Sequence, residues 1–356
     1  VTLRPSDFGV DAIVLFNQGS WVMDPSFFVE TGIEAWPVEG SAAVFFEEGF
    51  KVITTKLEEE AVRRYVDDVV LHKGNLREIL TEMLKECKRV GINGRYLSAW
   101  AMKRYLPDGK EYVDLTEELA KRRIAKGEEE VGKIRRAVDA AIEGFLDALK
   151  ELREGMTECQ FAGILNASMM EAGAQDRAFL TIVAFGENSA LPHHTCSRRR
   201  LRKGDIVLVD FGARVGIYNS DLTRTFFFGE AMGVLAEAWE LVEKAVERVL
   251  EEGRAGMSGR ELDSLARELI DSDPRFKGKF IHSLGHCLGV EVHDPCSISG
   301  RSEEPLPEGA VFTVEPGIYL PGVGGVRLEE DVVAREGYLE VLSGRLPRLR
   351  TLAEYL

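Results

Sequence analysis

Apolar residues recur at strand and helix spacings that change along the chain. Over residues 1–120, short apolar runs alternate with amphipathic stretches: Asp11 to Phe16, Ala42 to Phe46 and Lys51 to Thr55 read as strands, Leu76 to Cys87 and Ser98 to Leu106 as helices. This pattern predicts an α/β domain. Between Glu118 and Glu130 the sequence turns charged (ELAKRRIAKGEEE), as either a linker or the solvated start of the next helix would. The boundary is set near Lys126, which gives an N-terminal domain of residues 1–125 and a C-terminal domain of residues 126–356.

The second domain reads as a duplication. A long helical pattern, Glu128 to Arg153, ends at Glu154-Gly155-Met156 and is followed by Thr157-Glu158-Cys159-Gln160, a capping box that opens a helix to about Gly173. The same grammar returns in Ala231 to Gly253, Ala255-Gly256-Met257 and the capping box Ser258-Gly259-Arg260-Glu261, with Gly155 and Gly256 standing 101 positions apart. β-rich sequence follows each helix pair, from Arg177 to Gly229 and from Lys279 to Val333. Asp210 lies six residues after Gly204 and Glu315 six residues after Gly309, so the repeat sets a carboxylate at equivalent positions of both halves.

Composition narrows the function. The 356 residues include 45 basic and 60 acidic ones, a formal net charge of −15 that repels phosphate backbones and anionic membrane surfaces. A nucleic-acid or membrane partner is therefore not expected. No apolar run approaches the ~18 residues that span a bilayer, and Val1-Thr2-Leu3-Arg4 does not open a signal peptide, so a cytoplasmic location is expected. The five cysteines are odd in number and lack CxxC spacing, which predicts reduced thiols rather than a disulfide framework or a thiolate zinc site. Five of the six histidines (His193, His194, His282, His286, His293) fall in the C-terminal half.

The carboxylates come in pairs. Residues 204–229 predict a β-hairpin, and a Val215-Gly216 loop places Asp210 directly opposite Asp221, with Cβ atoms roughly 4.5–5.5 Å apart. Like charges so placed repel unless something positive lies between them. Glu315 ends the apolar run Val311-Phe312-Thr313-Val314, where a Glu has no packing reason to be. In strand alternation Arg327, Glu329 and Asp331 share a face opposite Val326 and Leu328. His286 stands between Gly285 and Gly289 in a segment with three histidines. Asp210, Asp221, Glu315 and Glu329 carry four negative charges that two divalent cations neutralise; oxygen-rich ligation with one imidazole suits Mn, Co, Fe or Zn.

Four motifs in order, DFGARVGIYNSDLTRT, HSLGHCLGVEVHD, TVEPGIY and GGVRLEED, resemble the pita-bread metallopeptidases, the family of prolidase, aminopeptidase P, methionine aminopeptidase and the metal-free creatinase. The resemblance covers nearly the whole chain. It implies an α/β N-terminal creatinase-like domain for dimerisation and capping, followed by an α+β pita-bread catalytic domain with an internal pseudo-twofold duplication. It implies Asp210, Asp221, His286, Glu315 and Glu329 as ligands of two divalent metal ions, Asp221 and Glu329 being those that bridge both in the family. His193, His282, His293 and Arg327 match substrate-side positions, with His193 and His293 also catalytic. Cys287 where Gly is usual, Asp294 where Glu is common, and a loosely matching segment Asn17 to Thr31 are departures.

The chemistry this implies is hydrolysis of Xaa-Pro dipeptides by a hydroxide shared between two metals, with Glu315 as proton shuttle. Removal of the N-terminal residue from longer Xaa-Pro peptides is the alternative, and a non-catalytic peptide-binding module the third. The expected partners are a short proline-containing peptide and a second copy of the chain, with Arg327 a candidate for fixing the dipeptide's carboxylate.

Overall fold

Thr157 and Ser258 both cap helices in the computed structural model, each accepting from the backbone N–H three residues on while Gln160 and Glu261 reach back. The structure describes residues 3–18 and 22–356, so residues 19–21 of the Asn17–Thr31 segment, and Val1 and Thr2, lie outside the described residues. Two compact units result, Val1–Arg123 and Ile124–Leu356. The first is a six-stranded mixed sheet in which Ala12–Asn17, buried along its whole length, pairs antiparallel with Ser41–Phe46 and parallel with Arg89–Ile92. The helix Leu76–Met83 presents Leu76 and Leu80 to the same apolar cluster as Val14 and Val90. The charged stretch resolves into the helix Thr116–Arg122, a short connection, and the start of the helix Glu128–Leu149.

The second unit shows the duplication element by element. In its first half the helices Glu128–Leu149 and Glu158–Glu171 precede a sheet whose central strand, Ile206–Phe211, runs antiparallel to Ile182–Phe185 and Leu222–Phe227. In its second half Gly233–Glu252 and Gly259–Asp271 precede a sheet in which Val311–Val314 runs antiparallel to Gly285–Cys287 and Glu330–Arg335. Gly204 and Gly309, which open the two central strands, take φ of +91° and +82°, left-handed values that disfavour a side chain. Among the described residues no helix is long and apolar enough to cross a membrane.

Two details differ from the sequence reading. The hairpin turns at Gly216-Ile217, with Val215 paired to Tyr218, so Asp210 faces Thr223 rather than Asp221. Moving the turn by one residue shifts the register by two, which preserves parity, and Asp221 therefore stays on the Asp210 side. The ladder is also interrupted where Gly212 lies against the Ser220 carbonyl, at 2.0 Å from the Cβ that any other residue would carry. Likewise Arg327 and Asp331 belong to separate strands, Gly324–Arg327 and Glu330–Arg335, and the break frees the Glu329 amide to donate to the Thr223 carbonyl.

Reduced thiols throughout are not what the structure holds: Cys287 and Cys296 form a disulfide. Antiparallel pairing of Gly285–Cys287 with Asp294–Ile298, irregular between His286 and Cys287, brings together two residues whose spacing in sequence carries no such signal.

Candidate metal centre

Asp210 near the end of one central strand and Glu315 just beyond the other are brought to one cavity by the repeat. The cavity holds about 760 Å³ and is lined by Asp210, Asp221, His286, Glu315 and Glu329, together with His193, His282, His293 and Arg327. All nine sequence-predicted residues thus meet. Oxygen and nitrogen atoms of Asp210, Asp221 and Glu329 lie within 4.8 Å of one another, as do those of His286, Glu315 and Glu329, and of Asp221, His286 and His293. Glu329, Asp221 and His286 each belong to two of these groups.

Local bonds aim the side chains. His286 Nδ1 donates to the Cys287 carbonyl at 3.1 Å, which leaves Nε2 turned toward Asp221 Oδ2 at 3.5 Å and Glu315 Oε1 at 3.4 Å. Gly285 permits this approach, since a Cβ there would lie 1.9 Å from the Thr313 carbonyl oxygen. Thr223 Oγ1 donates to Glu329 Oε2 at 2.6 Å, and Thr313 Oγ1 to Glu315 Oε1 at 3.2 Å.

Arg327 is anchored by bonds within the protein at the cavity wall. Nη2 donates to Asp210 Oδ2 at 2.5 Å, Nη1 to the Tyr319 hydroxyl at 2.7 Å, and Nε to Thr223 Oγ1 at 3.1 Å. The Tyr319 hydroxyl in turn donates to His282 Nε2 at 2.9 Å, while His282 Nδ1 donates to the Ser283 carbonyl at 2.8 Å. Both nitrogens of His282 are therefore taken up. Burial, aided by Arg327, lowers its pKa to about 4, so the ring is neutral in this chain of bonds. His293 packs against His286 with ring centroids 4.0 Å apart and the rings tilted by 40°, and desolvation followed by the neighbouring imidazoles lowers its pKa to about 4.

Thr223 and Tyr319 were not singled out by sequence, and Arg224 behind them was not either. An Arg inside the buried strand Leu222–Phe227 was the available signal. His194 is structural: its Nε2 meets Glu158 Oε2 at 2.9 Å, and that fully buried carboxylate also accepts from Phe185 N, Asn188 and Ser197. The Arg198–Lys203 stretch is tied down by Arg199, which pairs with Glu187 and Asp205.

The donor set fits divalent cations. Desolvation pushes the pKa of Asp221 and Glu329 well above the carboxylate range, the neighbouring carboxylates adding to it, and burial also raises Asp210 and Glu315. Asp210 Oδ1 is buried without a hydrogen-bond partner. Buried carboxylates are normally paired or coordinate a metal, and here Arg327 is the cation that faces them. Saturating Mn, Co or Zn should accordingly raise the melting temperature of metal-stripped protein by about 5–10 °C, read by circular dichroism, as a ligand at 100 times its Kd does.

Known proteins give the same picture. The model of metallopeptidase family M24 matches residues 132–336. An Xaa-Pro dipeptidase of Pyrococcus furiosus is 39% identical over 257 residues, covering 72% of this chain and 73% of the relative. Among solved structures, the X-Pro aminopeptidase of Thermotoga maritima superposes with a TM-score of 0.88 at 33% identity, covering 96% of this chain and 97% of the other. The Xaa-Pro dipeptidase of Bacillus anthracis does so with a TM-score of 0.89 at 30% identity, covering 98% and 96%.

Proposed function

The chain belongs to metallopeptidase family M24, and on that premise we propose that it hydrolyses the Xaa-Pro bond of dipeptides. The observation that carries this reading is the convergence of all nine residues on one cavity of about 760 Å³, a size suited to a small ligand. Asp210, Asp221, His286, Glu315 and Glu329 would hold two divalent cations (Mn, Co, Zn or Fe), which supply Lewis-acid polarisation of the scissile carbonyl and bring the pKa of water toward neutrality.

The chain's own groups do the rest. Glu315, half-buried in the wall of the same cavity, is the carboxylate assigned to take a proton and return it to the departing proline nitrogen. In an Xaa-Pro bond that nitrogen carries no N–H, so recognition must come from elsewhere. His293, held neutral, offers an N–H to a developing oxyanion without adding charge, and His193 lines the same cavity for substrate contact. Arg327 lines the same cavity while holding Asp210 and Tyr319, and remains the candidate for fixing the dipeptide's carboxylate. A homodimer and a cytoplasmic location belong to the same reading.

The second reading, an aminopeptidase acting on longer peptides, is favoured by the likeness to the Thermotoga maritima structure. Met-Pro and Met-Pro-Ala, offered to metal-stripped protein reconstituted with Mn, Co or Zn, separate the two. We expect metal-dependent cleavage of Met-Pro at a kcat/KM at least about tenfold above that for Met-Pro-Ala. The reverse preference establishes the aminopeptidase, and cleavage of neither peptide with any metal leaves a peptide-binding role.

A further inference from the structure

Cys159 and Cys196 stand apart from everything used so far. Their sulfurs lie 2.6 Å apart across 37 residues of sequence. Two sulfurs so close are well inside van der Waals contact, within easy reach of a covalent bond, though both cysteines are free thiols here. The backbone independently sets the two residues side by side. Glu158 N donates to the Arg199 carbonyl at 3.1 Å, Cys159 N to the Ser197 carbonyl at 3.2 Å, and Thr157 and Arg200 form a bridge.

The location matters. Cys159 sits in the first turn of the helix Glu158–Glu171, exposed, and Cys196 is half-buried in the connection that carries Leu191, Pro192 and His193 into the cavity wall. A covalent link here would tie that wall to the helix at the same point where Glu158 already binds His194 and Ser197. The same unit tolerates a cross-link beside the metal centre, between Cys287 and Cys296.

We propose that Cys159 and Cys196 are a redox-modifiable pair that closes to a second disulfide, a staple for the segment bearing His193. Burial and the neighbouring thiol push the Cys196 pKa up to about 11, so the exposed Cys159 is the member that starts the exchange. Its thiol loses a proton to solvent and its sulfur attacks a low-molecular-weight disulfide, expelling one thiolate, which takes up a proton. Cys196 then gives its proton to solvent and attacks Cys159 Sγ, expelling the second thiolate. The pair loses two electrons, and the small disulfide gains them as two thiols. Closing the sulfurs from 2.6 Å to about 2.05 Å moves them by about half an ångström, so the cavity keeps its shape and the link acts as a staple rather than a switch.

The test uses the whole protein equilibrated with oxidised glutathione, thiols then blocked with N-ethylmaleimide, and peptides mapped without reduction. A peptide pair joined through Cys159 and Cys196, two hydrogens lighter than the sum of its parts, is expected. The oxidised protein should melt about 5–10 °C above equally treated C159S, as closure of a loop of this length implies, with kcat/KM for Met-Pro within about twofold of that variant. C196S serves as a second reference should C159S fold poorly. Recovery of both cysteines as separate maleimide adducts overturns the pair. A cross-link without the rise in melting temperature, or with a larger change in kcat/KM, overturns the staple.

Discussion

Glu329→Gln is expected to lower kcat/KM for Met-Pro by about 10³-fold or more while leaving the fold intact. Glu329 is shared between two groups of potential ligand atoms, one with Asp210 and Asp221 and one with His286 and Glu315. Gln keeps its length and its place next to Thr223 Oγ1 but removes the charge that both groups share. Cations at such a centre contribute several kcal/mol of transition-state stabilisation, and each 1.36 kcal/mol is tenfold in rate. Metal added to the variant should also fail to raise its melting temperature as it does for wild type.

Without metal, the same substitution has the opposite sign on stability. Burial and the charges of Asp221, Glu315 and Asp210 raise the Glu329 pKa well above its ordinary value. An acid whose pKa is higher in the folded than in the unfolded chain binds more protons when folded, so stability falls as pH rises above the unfolded pKa. Metal-free wild type should therefore lose melting temperature from about pH 4.3 upward, and metal-free Glu329→Gln should lose less. A variant that melts below wild type in chelator across this range would mean that Glu329 acts as a packing residue rather than a strained ligand.

Local chemistry explains what could be read from sequence. Both capping boxes use groups three residues apart, so their recurrence marks the repeat in the sequence itself. The donor residues were legible for a related reason: Asp210 is a carboxylate inside a strand that otherwise buries apolar residues, and Glu315 directly follows another such strand. Register was not legible, because Val215-Gly216 and Gly216-Ile217 are both acceptable glycine turns and the interruption at Gly212 depends on Ser220 packing against it. The Cys287–Cys296 disulfide depends on a strand irregularity. The bonds joining Arg327, Tyr319 and His282 link three separate segments, so no spacing records them.

The residue next to Glu329 shows how closely fold and chemistry are interleaved. Glu330→Gln should cost about 3–5 kcal/mol, the penalty for breaking a buried ion pair from one side. Arg224 and Glu330 are both buried, with Arg224 Nη2 at 3.0 Å and 3.1 Å from the two carboxylate oxygens. Arg348 Nη1 adds a bond at 2.7 Å, and Ser343 Oγ donates to the same carboxylate. Neutralising Glu330 leaves the Arg224 guanidinium inside the protein with carbonyl oxygens alone. A melting temperature lower by about 10 °C follows for a unit of this size. Yet Arg224 Nη1 still reaches the Glu329 carbonyl at 2.7 Å and the Thr223 carbonyl at 3.0 Å, holding the backbone that presents the ligand. Below its melting point Glu330→Gln should thus keep kcat/KM within about tenfold of wild type, the lower end of what displaced outer residues cost a metal site. Adjacent carboxylates should give opposite results, Glu329→Gln folded and inactive, Glu330→Gln active and unstable. If Glu330→Gln instead lost activity as Glu329→Gln does without losing stability, the division of labour between the two faces of this segment would be wrong.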